Sequence, residues 1–318
     1  MQLLFNQLLN EINRAGRVLF VCHINPDPDT VGSALALGGF VESLGKKADY
    51  FCADEIPDNF NFLKNAALFK NDAALFGADY DLVIFCDCSE LSRSGVENIL
   101  DCKRQPWVCI DHHLFKEKIG DWEVRDDRAS ANCEIVYKFL KFHNHLICPD
   151  TATMLLAGIL IDTNFLSNSA TKSEIVSVVA ELCSLGADYR AVVKSFYLNK
   201  NPQVLKLWGL SLARLKHNKE SGITTTAILS GDGAGCEEAE EAFSGLSNFL
   251  SAVLKSDIIM VLEEREGAVK GSLRTIKDNI SVAKIAEEYG GGGHAKAAGF
   301  LCPGKLVEKE EEWAIERA

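Results

Sequence analysis

Apolar positions along this chain form short strand-like runs separated by segments with helical spacing. The runs RVLFVC, KADYFC, DLVIFCDC and PWVCIDHH all lie within residues 17–113. An amphipathic helix precedes them in the first 18 residues, and a mostly helical stretch follows, from about Ser130 to Leu185. This alternation predicts an α/β fold whose sheet is mostly parallel and built from βαβ units.

The strand pattern begins again after residue 221. The runs GITTTAILS, DIIMVLEE and GAVKGSLRT are followed by a helix-like segment, SVAKIAEEYG, and a glycine run. We therefore predict an N-terminal parallel-sheet domain over residues 1–190, a helical linker over 191–221 and a smaller C-terminal α/β domain over 222–318. The charged end of the chain, EKEEEWAIERA, carries no further signal.

Composition and charge narrow the class of protein. A net charge of −12 without a dense basic run argues against a protein that grips long nucleic acid. No apolar run is long enough to span a membrane, and the N-terminus lacks the features of a signal peptide. The eleven cysteines are scattered without a CxxC pair, which fits a reducing compartment. We expect a cytoplasmic protein with no membrane or long-duplex partner; a homodimer is one option for its oligomeric state.

Acidic and histidine side chains collect where the predicted core elements end. Three of the seven histidines lie in these segments. The carboxyl ends of parallel strands share one edge of a sheet, where ligands of such folds bind. The candidates are His23, Asp27, Asp29, Asp87, Asp111, His112, His113 and Asp162.

The segment HINPDPD can be interpreted in two ways. Pro28 restricts Asp27 to extended backbone, so we expect a loop that presents Asp27 and Asp29, with a helix beginning soon after Asp29. Gly32 in the first helical turn permits close approach by backbone or ligand. The loop can offer carboxylates to a cation, or Asp29 or Thr30 can simply cap the helix.

Asp87 ends an apolar strand and needs a partner, because burying an unpaired charge is costly. Strand alternation predicts that Cys86 and Cys88 share one face and that Asp87 projects to the other. A metal ion or a salt bridge can serve as the partner. Mixed carboxylate and imidazole ligands suit manganese or a similar divalent ion, and the ligand supply is enough for two ions sharing one carboxylate.

The order of these segments resembles the DHH phosphoesterase superfamily. The chain has His-x-x-x-Asp-x-Asp, then an isolated strand-end Asp, then Asp-His-His, then a later Asp; GGGGHAKAAGF (290–300) is similar to the glycine-rich motif of its DHHA1 substrate domain. Within the superfamily the chain looks most like the bifunctional oligoribonucleases and 3′,5′-bisphosphate nucleotidases, which resemble RecJ nucleases but are shorter.

The resemblance implies a role for each site residue. Two Mn²⁺ ions, or Mg²⁺ or another divalent ion in their place, are expected to share Asp87. Asp111 is expected to orient a histidine, and His113 to contact the scissile phosphate and protonate the leaving oxygen. The remaining assignments are His23 and Asp27 on one ion; Asp29, His112 and Asp162 on the other; and Arg93, Arg274, Gly291, Gly292, Gly293 and His294 on the substrate.

One position departs from the family. Pro28 stands where the family usually has glycine between the two acids, and a required positive φ there would disturb the metal geometry.

The function implied is hydrolysis of short RNA from an end, of 3′-phosphoadenosine 5′-phosphate (pAp) to AMP, or of both. Three alternatives stay open: a pyrophosphatase or polyphosphatase with the same metal site, a hydrolase of linear dinucleotides derived from cyclic signals, and a nucleotide sensor that has lost catalysis. The first usually carries a different second domain without the GGGH run.

Overall fold

The computed structural model describes residues 1–97, 105–115, 117–167, 171–198, 202–233, 239–277, 279–293 and 295–316. The chain divides into two units, Met1–Leu198 and Asn199–Ala318. The predicted linker, residues 191–221, falls on both sides of this division.

A six-stranded parallel sheet forms the centre of the N-terminal unit, as the sequence pattern predicted. Its strand order is β3-β2-β1-β4-β5-β6, with every neighbouring pair parallel. The predicted strand runs match four of these strands closely, whereas β3 and β6 are too short for the pattern to reveal. The strands are β1 Arg17–Cys22, β2 Lys47–Phe51, β3 Phe69–Lys70, β4 Leu82–Cys86, β5 Trp107–Asp111 and β6 Trp122–Arg125.

Helices cover this unit and include the predicted amphipathic first helix. Among the described residues of the whole chain, no helix is both long and apolar enough to cross a bilayer. Short 3₁₀ turns join several strands, and a π-helical turn, Lys194–Leu198, ends the unit. The α-helices are α1 Gln2–Arg14, α2 Pro28–Ser43, α3 Asn132–Phe142, α4 Pro149–Asp162, α5 Ser173–Ser184 and α6 Tyr189–Val193.

The core of the N-terminal unit lies on both faces of the sheet. Along β1, Val18 and Phe20 pack into the cluster that contains the helices, while Leu19 and Val21 pack into a second cluster on the opposite face. All four side chains are fully buried. A strand buried on both faces reads as a continuous apolar run, which is why RVLFVC was recognisable in the sequence.

The C-terminal unit is a smaller α/β domain, as expected. Its main sheet has the order β11-β12-β10-β9-β8-β7; β8 and β9 are parallel and the other neighbours are antiparallel. A separate hairpin, β13 with β14, includes the charged end of the chain, where the buried ring of Trp313 gives that segment a structural role the sequence pattern had not indicated. The elements are α7 Pro202–Ala213, β7 Lys216–Asn218, β8 Ile223–Ile228, α8 Ala239–Val253, β9 Ile258–Arg265, β10 Ala268–Arg274, α9 Val282–Glu288, β11 Gly292–Gly293, β12 Ala297–Pro303, β13 Lys305–Glu308 and β14 Trp313–Glu316.

Candidate metal centre

Three adjacent strands, β1, β4 and β5, deliver side chains to one edge of the parallel sheet. His23 follows β1, Asp87 follows β4, and Asp111 ends β5 with His112 and His113 directly after it. β1 and β4 meet where the strand order reverses, the position at which open α/β sheets form a crevice beyond their carboxyl ends.

The helix after β1 begins earlier than the sequence suggested. α2 starts at Pro28, and Asp27 is its N-cap: Asp27 Oδ1 accepts hydrogen bonds from the backbone N–H groups of Asp29 (2.9 Å) and Thr30 (3.0 Å). The expectation that Asp29 lies in a loop is therefore wrong. Pro28 occupies the first helical position, where its fixed φ is favourable and its missing N–H costs nothing. The departure from the family's glycine thus does not disturb the backbone here.

Asp29 lies inside the first turn of α2 and caps a different helix. Its carboxylate accepts hydrogen bonds from the backbone N–H groups of Asn132 (2.6 Å) and Cys133 (2.8 Å), the first two residues of α3. The N-cap residue of α3, Ala131, has no side chain that can do this. The carboxylate is fully buried, and its orientation is fixed by these two bonds.

Asp162 reaches the site because α4 packs closely against α2. A Cβ on Gly32 would lie 2.6 Å from the backbone oxygen of Met154, and a Cβ on Gly158 would lie 2.5 Å from Asp29 Oδ1. The lack of a side chain at Gly32 therefore lets the backbones of α2 and α4 approach closely. Asp162 is the last residue of α4.

Asp87 adopts a left-handed backbone conformation, with φ of 60°. β4 has already ended at Cys86, so the alternation predicted through Cys88 does not hold. Cys86 packs into the core cluster on one face of the sheet and Cys88 into the cluster on the other. A non-glycine residue held at positive φ is strained, and such positions concentrate at functional sites.

The Asp87 carboxylate lies at the centre of the cluster. Its Oδ2 is 3.5 Å from His23 Nε2, and its Oδ1 is 3.4 Å from His112 Nε2 and 3.3 Å from His113 Nδ1. One carboxylate therefore faces three imidazoles.

The other acids flank two of these imidazoles. His23 Nε2 is 3.6 Å from Asp27 Oδ2, while His112 Nε2 is 3.0 Å from Asp162 Oδ2 and 3.9 Å from Asp29 Oδ2. Among the described residues, three groups have a composition that can hold a metal ion, and the ligand atoms of each group lie within 4.8 Å of one another. The groups are His23, Asp27 and Asp87; Asp29, His112 and Asp162; and Asp87, His112 and His113.

The electrostatics of the cluster reveal an excess of negative charge. Burial opposes the imidazolium form of His23, but Asp27 and Asp87 outweigh it and raise the pKa of His23 to about 10. Burial likewise opposes ionisation of Asp87, but His113, His23 and His112 hold its pKa well below its usual range. Protons on the histidines thus balance part of the acidic charge in the absence of a cation.

The ionised forms of Asp29 and Asp162 are disfavoured in the cluster. Burial raises the pKa of Asp29 well above its usual range, and repulsion from Asp162 and Asp87 raises it further. Burial also raises the pKa of Asp162, although His112 opposes this. Closely spaced buried carboxylates cannot all ionise without a compensating cation.

Two buried atoms in the cluster also match a metal site. Asp87 Oδ1 and His112 Nε2 are fully buried, and their charged neighbours among the described residues, His113 and Asp162, are not placed to form well-directed hydrogen bonds with them. Buried polar atoms normally find a partner. Oxygen and imidazole-nitrogen donors converging here fit a divalent transition ion such as Mn²⁺.

Arg125, which the sequence pattern did not single out, bonds to two residues of the DHH segment. Asp111 is fully buried; its Oδ1 accepts a hydrogen bond from His113 Nδ1 (2.7 Å), and its Oδ2 pairs with Arg125 at the end of β6. Arg125 Nη1 also donates to the backbone oxygen of His113 (2.9 Å). Asp111 is thus bonded to His113, and Arg125 is bonded to both residues. Burial disfavours the His113 imidazolium, yet Asp87 and Asp111 raise the pKa of His113 to about 9.

The predicted substrate residue Arg93 lies beside the cluster. Its Nη2 is 3.5 Å from His23 Nδ1, and its backbone oxygen accepts a 2.7 Å hydrogen bond from the N–H of Ile24.

The predicted substrate residues of the C-terminal unit lie on its main sheet. Arg274 ends β10 and donates to Asn248 Oδ1 (2.8 Å) and to backbone and hydroxyl oxygens, and no described acid pairs with it. The glycine run forms an edge strand: Gly292 and Gly293 pair with β12, and a Cβ on Gly291 would lie 2.1 Å from the backbone oxygen of Gly299. His294 lies outside the described residues.

Comparison with known proteins identifies both parts of the chain. Residues 17–159 match the DHH family, N-terminal domain, and residues 234–316 match the DHHA1 domain. Together the two matches take in well over half of the sequence.

The chain belongs to the DHH family. The family and the two-domain α/β fold class expected from the sequence are thereby confirmed, as is the enzyme class, a phosphoester hydrolase.

Relatives of this DHH protein extend along nearly its whole length. It is 29% identical over 315 residues to the "bifunctional oligoribonuclease and PAP phosphatase NrnA" of Thermus thermophilus, covering 98% of this chain and 92% of that protein. The crystal structure of an exopolyphosphatase-related protein from Bacteroides fragilis superimposes with a TM-score of 0.87 at 21% identity, covering 94% of this chain and 91% of the other. RecJ from Thermus thermophilus in complex with Mn²⁺ has a TM-score of 0.52 at 16% identity, covering 95% of this chain and 52% of RecJ. The two structures establish a shared fold.

Proposed function

We propose that this DHH protein is a divalent-metal-dependent phosphoesterase that removes nucleotides from an end of very short RNA and dephosphorylates pAp to AMP. The observation that carries the proposal is the convergence of Asp87 with two flanking sets of ligands at the carboxyl ends of β1, β4 and β5. Similarity to a bifunctional oligoribonuclease and pAp phosphatase over 98% of the chain supports the choice of substrate.

The residues present suit two Mn²⁺ ions. His23, Asp27 and Asp87 are proposed to hold one, and Asp29, Asp87, His112 and Asp162 the other. When bound, such a pair of ions activates water and stabilises phosphoryl oxygens.

The residues around the ligands are proposed to bind substrate and move a proton. Asp111 Oδ1 accepts a hydrogen bond from His113 Nδ1 and fixes the direction of the ring, and Asp87 and Asp111 raise the pKa of His113 to about 9 in the metal-free protein. His113 is proposed to donate a proton to the leaving oxygen. Arg93, beside His23, is proposed to hold the phosphate through its guanidinium.

The C-terminal unit is proposed to bind the substrate through Arg274, Gly291–Gly293 and His294. Arg274 is half-buried, and burial lowers its pKa to about 10. A half-buried guanidinium without a carboxylate partner among the described residues suits an anionic group such as a phosphate. We propose that residues 1–190 form the catalytic region, residues 191–221 a linker and residues 222–318 the substrate-binding region. We also propose that the protein is located in the cytoplasm.

A substrate panel tests this function. The purified protein is incubated in Mn²⁺ with pAp, a 5′-phosphorylated dinucleotide, a longer RNA and pyrophosphate, with Asp87→Ala as the control. We expect turnover of pAp or the dinucleotide in the wild type only. Turnover of pyrophosphate alone would assign the protein to the pyrophosphatase class, and binding of nucleotide without turnover would favour a sensor.

A further inference from the structure

Two apolar side chains face solvent directly after the DHH segment. Leu114 is 71% exposed and Phe115 is 64% exposed, although they follow a histidine that belongs to the metal centre. Two residues of chain reach about 7 Å at most, so Phe115 begins close to His113. Exposing two neighbouring apolar side chains to water is unfavourable, so their position beside the polar cluster suggests that they contact a ligand.

The ring of Phe115 has a defined neighbour. The guanidinium carbon of Arg125 lies 5.7 Å from the centre of the ring, within the range of a cation–π contact. Arg125 is anchored in turn to Asp111 and to the backbone oxygen of His113. The ring of Phe115 is thus linked through Arg125 to Asp111 and to His113, the proposed proton donor for the leaving oxygen.

The exposed apolar residues elsewhere provide a contrast. Leu3 and Leu146 are each 84% exposed, and single exposed leucines of this kind are ordinary on protein surfaces. Phe115 differs because it is aromatic, adjoins a second apolar side chain and contacts an arginine that bonds into the site. Aromatic side chains next to a basic group are the usual platform on which single-stranded nucleic acid stacks its bases.

We infer that Phe115, with Leu114 beside it, is the stacking platform for the nucleobase that adjoins the phosphoester at the metal centre. The inference rests on the proposed function and adds a recognition element to it. Phosphate and metal contacts are the same for any phosphoester, whereas stacking selects substrates that carry a base. The platform therefore favours short nucleotides over inorganic pyrophosphate, which offers no ring to stack.

The test compares Phe115→Ala with the wild type on three substrates: the 5′-phosphorylated diadenosine dinucleotide and two analogues, each lacking one of the two bases. Phe115→Trp tests rescue, and Leu146→Ala is the matched control for loss of an exposed apolar side chain. Thermal melting confirms that each variant is folded.

We expect Phe115→Ala to raise KM for the dinucleotide about tenfold, since stacking on one side chain contributes roughly that much or more, with kcat within about twofold. One of the two analogues should show the same rise in the wild type and no further rise in Phe115→Ala. Phe115→Trp should restore KM. Leu146→Ala should change nothing.

Two results would overturn the inference: an unchanged KM in Phe115→Ala, or an equal rise on the dinucleotide and on both analogues. Absence of dinucleotide turnover in the wild type would instead count against the proposed function. In that case equilibrium titration with the same dinucleotide decides the inference, because about tenfold weaker binding to Phe115→Ala supports stacking and equal binding refutes it.

Discussion

The carboxylate of Asp29 accepts a 2.8 Å hydrogen bond from the backbone N–H of Cys133, so a candidate metal ligand on α2 is also the cap of α3. The same carboxylate accepts a 2.6 Å bond from Asn132, the first residue of that helix. Fold stability and the chemistry of the site therefore depend on one side chain. Capping fixes the carboxylate before any ion binds, which lowers the entropic cost of assembling the centre.

Replacing Asp29 should destabilise the protein even without metal. Asp29→Ala removes the α3 cap, and we expect a loss of about 1–2 kcal/mol in the free energy of unfolding, measured by urea denaturation in EDTA. Asp162→Ala removes another candidate ligand that caps no helix, so its loss should be smaller than that of Asp29→Ala. Equal losses in the two variants would contradict a separate capping role for Asp29.

Close packing of α4 on α2 gives a second test. An alanine Cβ at position 158 would lie 2.4 Å from Cys133 Sγ and 2.5 Å from Asp29 Oδ1. We expect Gly158→Ala to cost about 1–3 kcal/mol and to weaken metal binding, because overpacking displaces the capped carboxylate.

Gly39 provides the matched control for that substitution. It lies on α2, the helix against which α4 packs, and a Cβ there would meet nothing within 4 Å. Gly39→Ala should be neutral or stabilise the protein by up to about 1 kcal/mol, since alanine is the better helix former. Melting temperatures of the two variants that shift in the same direction would argue against specific packing at Gly158.

The sequence was sufficient to locate β1, β2, β4 and β5 and the polar residues at the ends of β1, β4 and β5. Runs such as RVLFVC are buried on both faces, so periodicity locates them, and parallel strands bring their ends to one edge. The pattern could not locate Arg125, because β6 has only four residues, of which one is fully buried. Nor could it reveal that Asp87 leaves the strand with positive φ, because that conformation depends on tertiary contacts of a residue that is not glycine.

The start of α2 was also missed, for a local reason. The sequence pattern places Asp27 in a loop and offers Asp29 or Thr30 as the cap, whereas in the structure Asp27 is the N-cap and the helix begins at Pro28. The capping of α3 by Asp29 joins residues more than 100 positions apart, and no local pattern reports such a pair.

Arg125 should affect catalysis by holding Asp111 and His113 in position. Arg125→Ala frees Asp111 and the backbone oxygen of His113 from their shared donor, and we expect kcat to fall about 10- to 100-fold, the range seen for groups that orient metal-site residues. Metal affinity should change little, because no described contact joins Arg125 to any of the six residues proposed to hold the two ions. Arg128→Ala, whose side chain is 82% exposed, is the control and should be silent. A parallel loss of metal in Arg125→Ala would contradict a positioning role.

Metal binding should depend on pH in a defined direction. The raised pKa of His23, about 10, means that its imidazole is protonated at neutral pH in the metal-free protein, whereas a metal ligand must be neutral. Apparent Mn²⁺ affinity should therefore rise with pH, about tenfold per unit for each proton released, and level off near pH 10.

Calorimetry in two buffers of different ionisation enthalpy measures this proton release directly. At pH 7 we expect at least one proton to be released when the wild type binds Mn²⁺, and fewer in His23→Gln. Binding without any proton release would show that the histidines are not the ligands.

The most direct test of the account is a manganese count combined with turnover, comparing wild-type protein with Asp87→Ala. Both are loaded with Mn²⁺, freed of excess ion and assayed for metal per chain and for hydrolysis of pAp and a 5′-phosphorylated dinucleotide. We predict two ions and turnover in the wild type, and loss of at least one ion with turnover reduced more than about 100-fold in Asp87→Ala, since Asp87 is the shared ligand. Undiminished turnover in Asp87→Ala, or in wild-type protein treated with EDTA, would contradict a metal centre built around Asp87.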